Sequence, residues 1–145
     1  MWKFRLPGRL FTALGGFPVR RGTADREALR RCVEVVESGE PLVLFPEGTR
    51  QSGPVVQPLF EGAAYIAART GVPIVPVGIG GSERVMPKGS KMVRPGRIVV
   101  VIGEPIAPPV AEDGARLPRR AVHELTMTLH ERLQALFDEA RRLAG

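Results

Sequence analysis

Between the helix-stopping pair Ser38-Gly39 and the turn residues Pro46 to Gly48, the chain reads Pro-Leu-Val-Leu-Phe without a polar interruption. Such a run does not alternate as a half-solvated strand does, and it needs apolar cover on both faces. That is the pattern of a parallel strand held between helices. Its flanks agree. Upstream, Ala28, Leu29, Cys32, Val33 and Val36 share one face at helical spacing, with Thr23 or Asp25 placed to cap the helix. Downstream, the stretch from Gly62 to Thr70 carries Ala63, Ala64, Ala67 and Ala68 and stops at Gly71, a helix thin enough to lie close against a sheet.

Further along, Val72 to Ile79 is apolar but holds Pro73 and Pro76, so part of it lacks ladder hydrogen bonds and belongs at a strand end or edge. Ile98 to Ile102 is β-branched throughout and closed by Gly103, a clear strand; Gly80 to Gly96 between them reads as a loop rich in Gly, Pro and Lys. From Pro118 to residue 144, Val122, Leu125, Leu129, Leu133, Leu136, Ala140 and Leu143 recur at spacings of three and four. They form an amphipathic helix, with Pro118 suited to its first turn. The alternation predicts an α/β fold: a layered domain with a mostly parallel sheet flanked by helices, residues 1–145 forming a single domain.

Composition limits the partners. Residues 1–31 carry eight Lys and Arg against two acids, and the rest of the chain is balanced, so the whole net charge of +6 sits at the N-terminal end. A localised basic end suits an anionic partner or a solvated Arg-rich face. The single Cys32 excludes a disulfide framework and a Cys-based metal site, fits a reducing cytoplasmic setting, and is expected to pack inside its helix. No stretch approaches the roughly 18 apolar residues of a membrane span, and Met1 to Phe17 is too charged and too interrupted by Pro7-Gly8 for a secretory signal. Within residues 1–14, Trp2, Phe4, Leu6, Leu10, Phe11 and Leu14 alternate with Lys3, Arg5 and Arg9. This composition suits either the boundary of an anionic membrane or apolar cover for the sheet. Nucleic acid is not an expected partner, because aromatic residues are not interleaved with the basic ones and there is no reading helix or metal finger.

In open α/β sheets ligands gather at the carboxyl ends of strands, and Phe45-Pro-Glu-Gly-Thr-Arg50 follows the apolar run directly. Pro46 ends the ladder and Gly48 permits close backbone approach or a positive φ. Thr49 offers a hydroxyl, and Arg50 a planar fork of donors matched to phosphate. Glu47 would repel a phosphate, so its expected role is orientation: fixing Arg50 or another Arg, or accepting from a hydroxyl of the ligand. A second cluster, Gly15 to Gly22, ends an apolar run in Arg20 and Arg21. In a parallel sheet Arg21 and Arg50 would leave the same edge and converge on one phosphomonoester, with Arg20 facing water.

These residues resemble the glycerolipid acyltransferases that include the 1-acylglycerol-3-phosphate acyltransferases. Gly15 to Arg21 looks like that family's second motif, Phe45 to Arg50 like its third, and Val72 to Val77 like its fourth, in the right order across most of the chain. The resemblance implies a glycerol-3-phosphate acyltransferase-like fold. It also implies transfer of a fatty acyl group from an acyl-CoA or acyl carrier protein thioester to the free hydroxyl of lysophosphatidate, in phospholipid biosynthesis at the cytoplasmic face of a membrane. Arg21, Glu47, Gly48, Thr49 and Arg50 would bind the acceptor, and Pro76 would shape the acyl or acceptor site. The thioester is a co-substrate, and neither a further cofactor nor a metal is implied.

The family's first motif, a histidine followed five residues on by aspartate, is missing. A neutral hydroxyl attacks a thioester poorly without a base, and the aspartate holds the imidazole in its useful tautomer. His123 is followed at that spacing by Thr128 and His130 by Ala135, and both histidines lie in the C-terminal helix; each reads as a polar or partly packed helix residue. Cys32 has no adjacent histidine to activate it. Two expectations follow: the catalytic segment lies upstream of Met1, so this chain alone is inactive, or the chain is a relative that binds a phosphorylated lipid or metabolite without chemistry.

Overall fold

The computed structural model describes residues 26–90, 92–109 and 118–145. In chain order these form α1 (Arg26–Glu37), α2 (Gly62–Thr70), β1 (Val77–Gly80), α3 (Ser82–Val85), β2 (Val99–Ile102) and α4 (Arg119–Ala144). The cap expected from Thr23 or Asp25, Arg21 and residues 1–14 all lie outside the described residues.

The helices end for local reasons. α1 stops where Ser38 folds its hydroxyl back onto the Val35 carbonyl and Gly39 takes a φ of +84°. Gly71 closes α2 in the left-handed region at φ +73°, donating its N–H to Ala67 O at 2.8 Å, a conformation that costs a glycine nothing. Pro118 stands one residue ahead of α4 as its N-cap, where a missing N–H is harmless. At the other end Arg84 donates to the Ala144 carbonyl at 2.9 Å, taking up an end carbonyl and placing a cation at the negative pole of the helix.

The long helix organises the domain. Its first half packs Val122 and Leu125 against Ala64 and Ala67 of α2, with Ala68, Ile74 and Ile106 at the margin. Its second half lies on β1 at backbone distance. A Cβ at Gly78 would run into the backbone of Leu136, and one at Gly80 into that of Ala140. The expected apolar stripe holds at Val122, Leu125, Leu129 and Ala140, while Leu133 and Leu136 are half-buried. At the end of the stripe Ala144 is buried and Leu143 exposed.

β1 and β2 pair Val77 with Ile102 and Ile79 with Val100, antiparallel. The expectation of a mostly parallel sheet therefore does not hold for the described strands. Among its described residues the linker from Gly81 to Ile98 contains only the single-turn α3 and no crossover helix to carry the chain back over the sheet, so β2 returns alongside β1 in the opposite sense. The prolines act as predicted: the strand begins after Pro76, whose carbonyl accepts from Gly103 N at 2.9 Å, and Ile74 makes an isolated bridge with Ile106. α4 covers one face of this ribbon. On the other, Val77, Val100 and Ile102 are exposed, Ile102 to 70%.

The run from Pro41 to Phe45 departs furthest from expectation. It is neither a strand nor buried: no described strand pairs with it, and Val43 is 80% and Phe45 73% exposed. An apolar run states the cover a segment requires; here the described residues do not supply that cover.

Candidate functional site

Pro46 ends the apolar run, and the chain then turns tightly enough for Gly48 N–H to reach the Phe45 carbonyl at 3.0 Å. Gly48 has a φ of +68°, and a Cβ there would lie 2.7 Å from Phe60 Cε2. Both reasons for a glycine, positive φ and close approach, apply at this one position. Phe60 is held beside the turn by its own N–H, which donates to the Pro46 carbonyl at 2.9 Å. The turn thus rests against the segment 54–60 rather than projecting as a free loop.

Glu47 completes that attachment. Its Oε2 accepts from the backbone N–H of Gln57 at 3.0 Å. No ion pair joins Glu47 to Arg50 among the described residues, and whether it fixes another Arg, such as Arg21, falls outside them. Among the described residues no carboxylate forms a salt bridge with Arg50, which, like Thr49, is exposed. Among the described residues the guanidinium is left exposed on a turn whose backbone is fixed from behind, an arrangement suited to an incoming anion. A further cation stands near: Lys88 Nζ lies 3.5 Å from Gln51 Oε1, in the loop after α3. Whether Arg21 joins this site falls outside the described residues, and Pro76, expected to shape it, carries the Gly103 hydrogen bond that starts the ribbon.

Both histidines have structural partners. His123 Nδ1 lies 3.1 Å from Glu61 Oε1 on an exposed surface, and His130 Nε2 lies 3.0 Å from the Val56 carbonyl. Cys32 is 4% exposed, and burial pushes its thiol pKa up, the reverse of what a nucleophile requires. Among the described residues no cluster of His, Cys, Asp and Glu is arranged to hold a metal ion, and no helix is long and apolar enough to cross a membrane.

Three supports of the turn were not legible in sequence. Phe60 and Gln57 follow it by about ten residues without motif spacing, and Gln134, whose Oε1 accepts from Val56 N–H at 2.8 Å, is 78 positions from its partner. The one local hint was the glycine, which implied that something would approach it closely.

Comparison with known proteins places the chain in a family. A model of the acyltransferase family matches residues 1–80, which include the whole turn. The chain is 37% identical over 102 residues to the chloroplastic 1-acyl-sn-glycerol-3-phosphate acyltransferase BAT2 of Brassica napus, a match covering 68% of this chain and 30% of that protein. It is 28% identical over 137 residues to the 1-acyl-sn-glycerol-3-phosphate acyltransferase of Bacillus subtilis (strain 168), covering 94% of this chain and 64% of that one. The crystal structure of the 1-acyl-sn-glycerophosphate acyltransferase PlsC from Thermotoga maritima superposes with a TM-score of 0.73 at 29% identity, over 95% of this chain and 52% of that one. The chain thus spans under two thirds of the length of each of these relatives. Because the family model covers more than half of its residues, the chain belongs to the acyltransferase family.

Proposed function

We propose that the turn from Glu47 to Arg50 binds the phosphate of a lysophosphatidate acceptor and that the chain is the acceptor-binding part of a 1-acylglycerol-3-phosphate acyltransferase. The observation that carries this reading is the braced turn: Gly48 set against Phe60, Glu47 bound to Gln57, and Arg50 exposed without a carboxylate partner among the described residues. Its support is the relatives, named for action on that substrate. A planar guanidinium presents two parallel N–H donors to two phosphate oxygens, a fixed fork that an ammonium group lacks. Arg21 is assigned to the same phosphate, and Thr49 to one of its oxygens.

In the reaction the acceptor hydroxyl oxygen bonds to the thioester carbonyl carbon, the carbon–sulfur bond breaks, and the thiol of coenzyme A or of the acyl carrier protein leaves with the hydroxyl proton. That proton needs a base. His123 faces Glu61 and His130 faces the Val56 carbonyl, and neither has the histidine–aspartate spacing of the family, so this chain by itself is assigned binding and no turnover. Docking at the cytoplasmic face of an anionic membrane through the basic N-terminal end belongs to the same reading, and cosedimentation with phosphatidylglycerol vesicles should then fall as salt rises.

The test is titration of the chain with a short-chain lysophosphatidate. The reading expects saturable binding that Arg50→Ala reduces at least tenfold and that inorganic phosphate competes away. Binding unchanged by Arg50→Ala would overturn it. The absence of the histidine–aspartate pair favours a second reading, a non-catalytic binder of phosphorylated lipid. The two separate when that pair is restored by fusing the corresponding segment of a relative: turnover supports the enzyme, and binding without turnover the binder.

A further inference from the structure

The segment that braces the turn is itself held from its other side by α4. The carboxamide of Gln134 spans it: Oε1 accepts from Val56 N–H at 2.8 Å, while Nε2 donates to the Pro54 carbonyl at 3.1 Å and to Asp138 Oδ1 at 3.0 Å. One helical turn earlier, His130 Nε2 meets the Val56 carbonyl at 3.0 Å. Both backbone polar groups of Val56, a buried residue, are therefore matched by side chains of a single helix spaced i, i+4. The amide side chain takes the place of a neighbouring strand, accepting from one peptide and donating to another. The very next N–H along the chain, that of Gln57, is the one that Glu47 accepts.

These contacts form a continuous relay: α4, the 54–57 backbone, the Glu47 carboxylate, and the turn that presents Arg50. A backbone group shut away from water must find a partner, so loss of the Gln134 amide obliges Val56 to move toward solvent. Gln57 is bonded to Val56 and would move with it, withdrawing the N–H that anchors Glu47.

We infer that Gln134 and His130 are positioning residues for the anion-binding turn, acting through Val56, Gln57 and Glu47 without touching the ligand. The inference rests on the assignment of that turn to the acceptor phosphate. It also gives the C-terminal helix a part in the acceptor site although none of its residues belongs to the sequence motifs that define that site.

The experiment compares the wild-type chain with Gln134→Leu, which keeps the side-chain volume and removes both polar functions, and with His130→Leu. A third variant, Glu131→Gln, on the exposed side of α4, serves as control. Helicity and melting establish that each variant is folded at the working temperature; two readouts are then taken. Hydrogen exchange at the Gln57 amide reports the brace directly, and titration with short-chain lysophosphatidate reports its effect on the site. Gln134→Leu is expected to lose protection at Gln57 and to weaken binding about tenfold, the scale of one well-made hydrogen bond to a buried group. His130→Leu is expected to shift both readouts in the same direction by less, and Glu131→Gln to change neither. A folded Gln134→Leu chain with wild-type exchange at Gln57 and wild-type affinity would overturn the inference, and His130→Leu is the deciding variant if Gln134→Leu does not fold. Should the wild-type chain bind no lysophosphatidate, the acceptor assignment fails while the exchange arm still decides whether α4 holds the brace.

Discussion

Glu47 accepts a hydrogen bond from the backbone N–H of Gln57 at 3.0 Å, so the carboxylate of the turn is engaged by its own chain before any ligand arrives. An acid beside an arginine invites reading as an ion pair. Here the acid holds the backbone, and among the described residues the arginine has no carboxylate partner.

The first prediction follows from the chemistry of that bond. Glu47→Gln keeps an acceptor of the same reach and exchanges a charge-assisted hydrogen bond for a neutral one, so it should cost about 1 kcal/mol. Glu47→Ala leaves the Gln57 N–H without a partner and should cost about 2 kcal/mol, with a correspondingly greater loss of lysophosphatidate affinity. Denaturant melts of the two variants check the order.

Gly48→Ala meets two obstacles of unequal weight. The Phe60 ring that a Cβ would strike is 66% exposed and can swing aside. The φ of +68° cannot be relieved in that way and should cost about 1–2 kcal/mol. Adding Phe60→Ala to Gly48→Ala should therefore recover little, and a double-mutant cycle that restores full stability would show the ring to be the dominant obstacle.

At Gly78 and Gly80 the obstacle is backbone, of Leu136 and Ala140 respectively, and cannot rotate away. Gly80→Ala forces α4 off β1 and should cost more than the about 1–3 kcal/mol of ordinary overpacking. Expression of a folded Gly80→Ala chain with an unchanged melting temperature would refute this packing.

Cys32 supplies a pH prediction. Burial raises its thiol pKa in the folded state, so the unfolded chain releases the proton first as pH rises. The thiol's contribution to folding stability is then level below about pH 8.5, the unfolded thiol value, and falls above it until the folded pKa is reached. Cys32→Ala should remove that alkaline slope, and Ellman's reagent should react with Cys32 only as fast as the chain opens.

Legibility in the sequence followed the range of the forces involved. α2, α4 and β2 were read from periodicity and punctuation, and Pro76 and Gly71 set boundaries where their backbone chemistry requires. The orientation of β2 was not legible, because composition does not say whether a long linker crosses a sheet or folds back beside it. Pro41 to Phe45 advertised a need for cover without naming its source. In the site, Gly48 and Arg50 were marked by local chemistry, whereas the grip of Gln134 on Val56 depends on where a distant helix comes to lie. Nothing near Gln134 in the sequence reports that distance.

The two glycines beneath α4 have a consequence for how the molecule can be altered. With no side chains cushioning the contact, the helix has a single seat on β1, and that seat fixes the height and rotation from which Gln134 reaches out. The ribbon thus acts as a datum for the turn through the helix that rests on it. Repacking beneath α4 would misalign the Arg50 guanidinium by changing where the helix rests, with every residue of the turn left as it was.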